Sequence, residues 1–394
     1  MRKSLVGLLS AAALVVGMTQ AGAQDTIKIG LVMTLSGQFA DAGIQMRNGV
    51  QTYMKQFGET VGGKKIELII KDSGGPAPDV AKRLAQELIV RDKVDILAGF
   101  VLTPNALAAA DVSAEAKKFM VIMNAATSII TTKSSYSVRS SVTLPQVAET
   151  FGTWAAKKAN VKKSYTMVTD YGPGHDFENG FQRAFKEAGG EITGSVRFPV
   201  ANPDFSAFVQ RAKDLNPESI MIFIPGGAQP AALGKAFAER GVDPNKTKIL
   251  GSGETTSEQA LKSMGDSALG IITAWHYEYT DKSNAKNVAF VKLFNEMHKR
   301  NPDFFSIGGY DGMHVIYESI KKAGGKLDGD SLIAAAKGLK WDSPRGPMSI
   351  DPETRDVVQT IYIRKVEKVG GEPTNVAFDK VENVKDPVKA RMPK

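Results

Sequence analysis

Apolar runs of strand length alternate with longer amphipathic segments along this chain, and the alternation runs through once and then begins again. Ile27-Lys-Ile-Gly-Leu-Val-Met is followed by a helical pattern from Met46 to Phe57 and by Ile66-Glu-Leu-Ile-Ile; a second helical pattern spans Val80 to Val90, before Val94-Asp-Ile-Leu-Ala. Alternation of this kind builds β-α-β units, whose parallel sheet must be covered by helices on both faces. The second run starts at Tyr165-Thr-Met-Val-Thr and continues with a helix near Phe177 to Ala188, a strand near Ile192 to Phe198, a helix near Phe205 to Leu215, and Ser219-Ile-Met-Ile-Phe-Ile. Gly62-Gly63 and Gly189-Gly190 fall between helix and strand, where a helix C-terminus favours glycine. Two α/β halves in tandem, each a doubly wound parallel sheet, are the simplest arrangement, and 394 residues suffice for two cores. Beyond the patch Ala274-Trp-His-Tyr-Glu-Tyr-Thr the pattern loosens into helices over Val288 to Lys299 and Tyr310 to Ala323 and strands near Met348 to Ile350 and Val357 to Val366. These read as additions to the two halves, with the chain crossing between them more than once. After Gly370 no period is evident, and a loosely docked strand and extension are expected.

At the N-terminus, Arg2-Lys3 precede an apolar run from Leu5 to Val16 and then Ala21-Gly-Ala23. That order is the pattern of a secretory signal peptide, residues 1–23, cleaved after Ala23. An exported protein located in a periplasm is therefore expected, with no direct membrane anchor. The chain has no cysteine, so its stability must come from packing rather than crosslinks. Removal of Arg2 and Lys3 lowers the formal charge of +8 to +6, but Lys and Arg are interspersed with Asp and Glu throughout. No nucleic-acid partner is expected from such a distribution, and a mild basic balance suits a small anion better.

Catalytic and metal signatures are missing. His175, His276, His298 and His314 are scattered, with no pair at metal-ligand spacing. Asp170-Tyr-Gly-Pro-Gly contains a G-x-G, but the next glycine arrives too late for a dinucleotide fingerprint, and Gly251-Ser-Gly-Glu-Thr-Thr lacks the spacing of a nucleophile elbow. No enzyme activity, cofactor or metal is expected.

Binding leaves a different signature: loops of small and hydrogen-bonding residues at the carboxyl ends of parallel strands. Leu35-Ser-Gly-Gln-Phe39-Ala-Asp-Ala42-Gly, Gly99-Phe-Val-Leu102-Thr103-Pro-Asn and Met123-Asn124-Ala125-Ala126-Thr127-Ser-Ile-Ile end strands of the first half. Asp170-Tyr171-Gly-Pro-Gly and Pro225-Gly-Gly-Ala228-Gln229-Pro hold equivalent places in the second. Unpaired N–H groups at helix N-termini could hold a carboxylate there without Arg or Lys, with Thr103 and Thr127 adding hydroxyls.

"IKIGLVMTLSGQFADAGIQMRNGVQ", "DILAGFVLTPNALAAAD", "MNAATS" and "DYGPGHDFENGFQRAFKEAGGEI" resemble the type I periplasmic solute-binding proteins of the leucine/isoleucine/valine-binding class, which feed ABC importers. The resemblance covers nearly the whole mature chain. It implies two lobes joined by a three-crossover hinge near Arg139 to Val142, Ile272 to His276 and Asp356 to Val358, closing on a ligand. Lobe 1 would comprise 24–140 plus 276–356, and lobe 2 141–275 plus 357–394. A membrane permease is the implied partner, and the protein is expected to be a monomer. By the family's motifs, Thr103, Ala125 and Thr127 would hold the ligand carboxylate, Tyr171 would reach it from lobe 2, and Phe305 and Tyr310 correspond to the rim and the helix after it. Amino-acid-binding members often carry tyrosines where this chain has Ala42 and Ala228, which would widen the cleft. The family's acid for the ligand ammonium corresponds to Glu254, or Glu254 is displaced by one position and points elsewhere. A wider cleft near Phe39, Phe100, Tyr171, Trp275 and Tyr277 suggests an aromatic acid of the benzoate or hydroxybenzoate kind, with a branched-chain or other apolar amino acid as the alternative.

Overall fold

The computed structural model describes residues 26–200, 203–244 and 246–392. The signal peptide expected at 1–23 lies outside them. Among the described residues no helix is long and apolar enough to cross a membrane.

The first half contains β1 (Thr26–Met33), α1 (Ala40–Phe57), β2 (Thr60–Val61), β3 (Lys64–Asp72), α2 (Pro78–Val90), β4 (Ile96–Gly99), α3 (Thr103–Glu115), β5 (Met120–Ile122), α4 (Ile130–Lys133) and β6 (Ser137–Arg139). Its sheet runs β2-β3-β1-β4-β5-β6. All pairs are parallel except the short β2 on β3. The second half contains α5 (Leu144–Lys157), β7 (Lys163–Thr169), α6 (Gly172–Glu187), β8 (Glu191–Phe198), α7 (Phe205–Asp214), β9 (Ser219–Phe223), α8 (Gln229–Arg240), β10 (Lys248–Ser252), α9 (Glu258–Met264) and β11 (Ile272–Trp275). There the parallel strands run β8-β7-β9-β10-β11.

Both halves thus have the same doubly wound order, second-first-third-fourth-fifth. In each, the order reverses beside the first strand, and a crevice opens at the carboxyl ends of the strands there. Central strands such as β4 (Ile96-Leu-Ala-Gly) and β9 (Ser219-Ile-Met-Ile-Phe) are buried at every position. Helices on both faces leave no room for polar alternation, which is why the sequence shows continuous apolar runs.

The remaining elements are α10 (Ala285–His298), α11 (Phe304–Lys322), α12 (Gly329–Ala336), β12 (Lys340–Ser343), β13 (Gly346–Ile350), β14 (Val357–Val369) and β15 (Glu372–Val384). Helices α10 and α11 pack on α1, returning the chain to the first lobe. Strand β14 adds antiparallel to β11, and β15 pairs with β14 from Gln359↔Val384 to Val369↔Glu372. The tail expected to be loosely docked is therefore a full hairpin strand. Its turn, Gly370-Gly371, has positive φ at both residues (60° and 93°), the conformation that a two-residue hairpin loop requires.

The third crossing is spread along the chain. β12 and β13 are hydrogen-bonded through β13 to β14, although the expected bounds placed 276–356 with lobe 1. Their side chains face the other way: Trp341 Nε1 donates to Asp311 Oδ1 of α11 at 3.0 Å, and the Trp341 and His314 rings stack at 5.3 Å. Two hinge segments and the residue that follows the third, Gln359, meet at the buried Arg345. Its Nη1 donates to Ser141 O (3.0 Å) and Gln359 Oε1 (2.8 Å) and lies 2.6 Å from His276 Nδ1, while its Nε pairs with Asp311 Oδ2 at 2.7 Å. Burial, with Arg345 and Arg364 adding to it, drives the His276 pKa well down, so the ring stays neutral and Nδ1 accepts.

Candidate functional site

Loops from both sheets converge on one cavity between the lobes, where a small ligand would be held. The loop after β1 and the first turn of α1 contribute Phe39 and Ala42, the loop after β4 and the start of α3 Val101, Leu102 and Thr103, and the loop after β5 Asn124 and Ala126. From the second lobe come Tyr171 and Pro173 after β7, Pro225 and Gly226 after β9, and Glu254 after β10. Phe305, in the first turn of α11, completes the wall. Asp303 caps that turn, accepting from the N–H of Phe305 (2.9 Å) and of Ser306 (3.2 Å), and so fixes where the ring points.

The walls are apolar and the two poles are not. Helix α3 begins at the cavity with Leu102 as its N-cap, and α6 begins there with Tyr171; neither N-cap side chain accepts a hydrogen bond from its helix. The first-turn N–H groups therefore lack the usual side-chain acceptor and give each end a partial positive charge. Thr103, at the start of α3, donates its hydroxyl to Thr127 Oγ at 3.2 Å. Asn124 Nδ2 donates to Val101 O at 2.7 Å and braces the loop leading into α3. This pole suits a carboxylate.

At the second-lobe pole, Glu254 is buried and its Oε2 accepts from Gly226 N–H at 2.8 Å. Burial pushes its carboxyl from the ordinary 4.5 up to about 7, with the Gly226 bond opposing. It is thus poised between acid and carboxylate near neutral pH. Burial, followed by the nearby Glu254 charge, raises the Tyr171 phenol well above its ordinary value, keeping it a neutral hydroxyl. The position of Glu254, open in the sequence, is decided: it faces the cavity.

Of the thirteen residues singled out in the sequence, Phe39, Ala42, Leu102, Thr103, Asn124, Ala126, Tyr171, Glu254 and Phe305 line this cavity. Ala125, Thr127, Ala228 and Gln229 do not. Ala125 was expected to offer backbone to the ligand, but its N–H donates to Phe100 O at 2.9 Å and its methyl packs in the core beside α3. Thr127 stands one hydrogen bond behind Thr103. Ala228 is exposed at the N-cap of α8, so a missing ring there does not widen the cavity. The Gln229 amide is turned away to Val200 O at 2.6 Å.

Three of the five aromatics expected near the ligand are core residues instead: Phe100, Trp275 and Tyr277 are buried, the last donating to Asn287 Oδ1 at 2.9 Å. Tyr310 is packed too, donating to Gln56 Oε1 at 2.8 Å. Val101, Pro173, Pro225 and Gly226 were missed as lining residues. Each is a neighbour of a chosen residue in a strand-end loop, and only the path of the loop distinguishes wall from support.

Two similarly ordered, doubly wound lobes that close a cavity with uncapped helix ends define a capture protein for small solutes. The chain belongs to the periplasmic binding protein family, whose model matches residues 26–372. It is a type I member of the leucine/isoleucine/valine-binding kind. It is 41% identical over 87% of its length to Leu/Ile/Val-binding protein homolog 6 of Brucella melitensis biotype 1, covering 88% of that protein. It is 51% identical, with a TM-score of 0.89, to a solute-binding protein of an ABC transporter from Rhodopseudomonas palustris BisB5 solved with 3,4-dihydroxybenzoic acid, covering 93% of this chain and 99% of that one. A solute-binding protein from Rhodopseudomonas palustris HaA2, solved with p-hydroxybenzoic acid, is 39% identical with a TM-score of 0.90, over 93% and 100% of the two chains.

Proposed function

We propose that this protein is the periplasmic substrate-binding component of an ABC importer, and that it captures a hydroxylated benzoate between its lobes without making or breaking bonds. The observation that carries the reading is the pairing of poles across an aromatic-walled cavity. A carboxylate fits the uncapped start of α3 with Thr103 and Asn124 nearby, and the rings of Phe39, Tyr171 and Phe305 suit a flat body. At the far end Glu254 asks for a donor, and a phenolic hydroxyl supplies one. Two relatives solved with hydroxybenzoates, one of them 51% identical, support the choice. The ligand-binding set in this reading is the nine lining residues named above, together with Val101, Pro173, Pro225 and Gly226. Export through a cleaved leader at 1–23, delivery to a membrane permease, and the division into lobes at about 140, 275 and 356 belong to the same proposal.

Glu254 also favours a second reading, because an acid facing the cavity would hold the ammonium of a branched-chain amino acid, as expected of the Leu/Ile/Val-binding relatives. Thermal melting of the mature protein separates the two. A ligand at ~100 times its dissociation constant stabilises by about 2.7 kcal/mol, a shift of a few degrees. 4-Hydroxybenzoate and 3,4-dihydroxybenzoate are expected to shift the melt and leucine is not; the reverse pattern rejects the aromatic assignment. At the carboxylate pole the Thr103 hydroxyl would turn its proton from Thr127 to the bound carboxylate, and Thr103→Val is expected to weaken 4-hydroxybenzoate by roughly 1.5–3 kcal/mol, the value of one bond to a charged group. Calorimetric titration checks this, and an unchanged affinity removes Thr103 from the site.

A further inference from the structure

Behind the cavity, on the far side of the Met123–Ile130 loop, charged groups from three parts of the chain meet at Ser128. That residue is 1% exposed. Its N–H donates to Oδ2 of Asp176, on α6 of the second lobe, at 3.1 Å. Its hydroxyl donates to Oδ2 of Asp386, in the segment after β15, at 2.8 Å. Asp386 is itself fixed, since its Oδ1 accepts from the N–H of Val388 (2.9 Å) and of Lys389 (3.0 Å). The Lys389 ammonium then reaches Asp356 and Thr131. Arg139, fully buried, donates from Nη2 to Thr127 O at 2.8 Å, and its Nε lies 3.3 Å from Asp356 Oδ1.

Within this cluster Asp176 differs from its neighbours. Arg139, Asp356, Asp386 and Lys389 bind the loop and the hinge segments, and Asp386 follows a strand that ends beside the hinge at Gln359. Asp176 instead extends from a helix whose sheet is wholly that of the second lobe. Rotation of the lobes about the hinge would separate Asp176 from Ser128 and leave the other bonds in place. The first residue of the same helix, Gly172, also meets the loop: a Cβ built there would lie 3.5 Å from Thr127 Oγ. Thr127 in turn accepts from Thr103, which lines the cavity.

We propose that Asp176 is a positioning residue for ligand capture, whose carboxylate latches the Ser128 N–H of the opposite lobe in the closed form while Asp386 of the C-terminal segment holds Ser128 ready for it. The latch sets Thr127, and through it Thr103, at the carboxylate pole. It rests on the hinge-closure part of the proposed function but not on the identity of the ligand. Burial, and after it the charge of Asp386, pushes the Asp176 carboxyl up, while the Ser128 N–H, Arg139 and His175 act in the opposite sense. The Ser128 bond is therefore one of the contacts that favour the charged form.

The absence of cysteine makes the test direct, because Lys55→Cys and Lys186→Cys, both on exposed positions of opposite lobes, accept spin labels at those two sites alone. In this background Asp176→Ala is expected to raise the dissociation constant of 4-hydroxybenzoate by on the order of tenfold or more, chiefly through faster release. It is also expected to shift the liganded interlobe distances toward the unliganded ones while the unliganded melting temperature stays unchanged. Asp176→Asn keeps an acceptor for Ser128 and should recover part of the loss. An alanine variant with wild-type affinity and distances overturns the latch. So does one whose unliganded melt falls as far as its liganded melt, since that marks a scaffold contact. If the wild type does not bind 4-hydroxybenzoate, the ligand assignment fails separately, and the same affinity and distance measurements with leucine decide the latch: weaker binding with longer liganded distances in Asp176→Ala supports it, and unchanged values reject it.

Discussion

Replacing Gly227 with alanine is expected to raise the dissociation constant of a captured ligand by roughly 100-fold while leaving the separate lobes folded. Gly227 has φ of 95°, and a Cβ built on it would collide with the carbonyl oxygen of Gln38 and stand 3.4 Å from the Phe39 ring. Gln38 and Phe39 belong to the loop after β1 in the first lobe, and Gly227 to the loop after β9 in the second. The collision therefore exists only when the lobes are closed. In the open form the added methyl group meets only the strain of a left-handed backbone, about 1 kcal/mol or somewhat more. An apparent dissociation constant scales inversely with the fraction of competent molecules, so a closed population cut to about one in a hundred produces the stated loss. Titration calorimetry combined with the radius of gyration from solution scattering measures both halves of the claim. Wild-type affinity in Gly227→Ala would show that the two loops do not meet in the bound state.

The second large effect concerns Glu254. In the proposed pose a carboxylate ligand with no donor at its far end would place its own charge in one cavity with that of Glu254, whereas a para-hydroxyl would donate to Glu254 directly. Wild-type protein should accordingly prefer 4-hydroxybenzoate to benzoate, and Glu254→Leu should reduce that preference by roughly 10- to 100-fold, because the buried hydroxyl loses its partner. Glu254→Gln, which keeps an acceptor for Gly226 N–H, should lie between. Paired titrations with the two acids provide the measurement, and an unchanged ratio would remove Glu254 from hydroxyl recognition.

The same carboxyl has a pH signature. Its folded pKa of about 7 lies above the ordinary 4.5, so the folded protein retains a proton that the unfolded chain releases between those values. The stabilisation is complete below about pH 4.5 and lost as the pH rises through 7. Glu258, raised by burial to about 7, and Asp303, raised by burial to about 8, act in the same direction. His276, His298 and His314, held below their ordinary value chiefly by burial, act in the opposite sense as the pH falls, so the share of Glu254 is read by difference: the gain in melting temperature from pH 8 to pH 5 should be smaller in Glu254→Gln than in the wild type. Benzoate affinity should fall as the pH rises over the same interval more steeply than that of 4-hydroxybenzoate, for which the ionised Glu254 is the better acceptor.

Several features of the molecule were legible one residue at a time. Strands such as β4 and β9 were legible because a strand covered by helices on two faces has to be apolar at consecutive positions, a pattern as visible in Ser219 to Phe223 as in the structure, whereas β6, β10 and β12 were too short or too polar to be read. The strand-end loops were legible because Thr103, Asn124 and Tyr171 combine small size with hydrogen-bonding groups where a parallel sheet opens its crevice. The hairpin at Gly370-Gly371 was present in the sequence as well, but a half-exposed strand with lysines and glutamates has too weak a period to be recognised. Ala125, Thr127, Ala228 and Gln229 mark the limit of this approach. Each adjoins a lining residue, and which neighbour faces the cavity depends on a backbone bond such as Ala125 N–H to Phe100 O, whose partner lies far along the chain.

By itself the sequence determined two doubly wound lobes, indicated more than one crossing between them and pointed to a carboxylate at the strand-end loops, because local periodicity and helix-end chemistry depend on near neighbours. Only the tertiary structure decided that Glu254 faces the cavity, that Gly227 abuts Gln38, that Arg345 joins two hinge segments to Gln359 and that Asp176 reaches Ser128 across the lobes. Those contacts join residues from tens to some two hundred positions apart, and their geometry follows from how the two sheets close on each other rather than from any segment read alone.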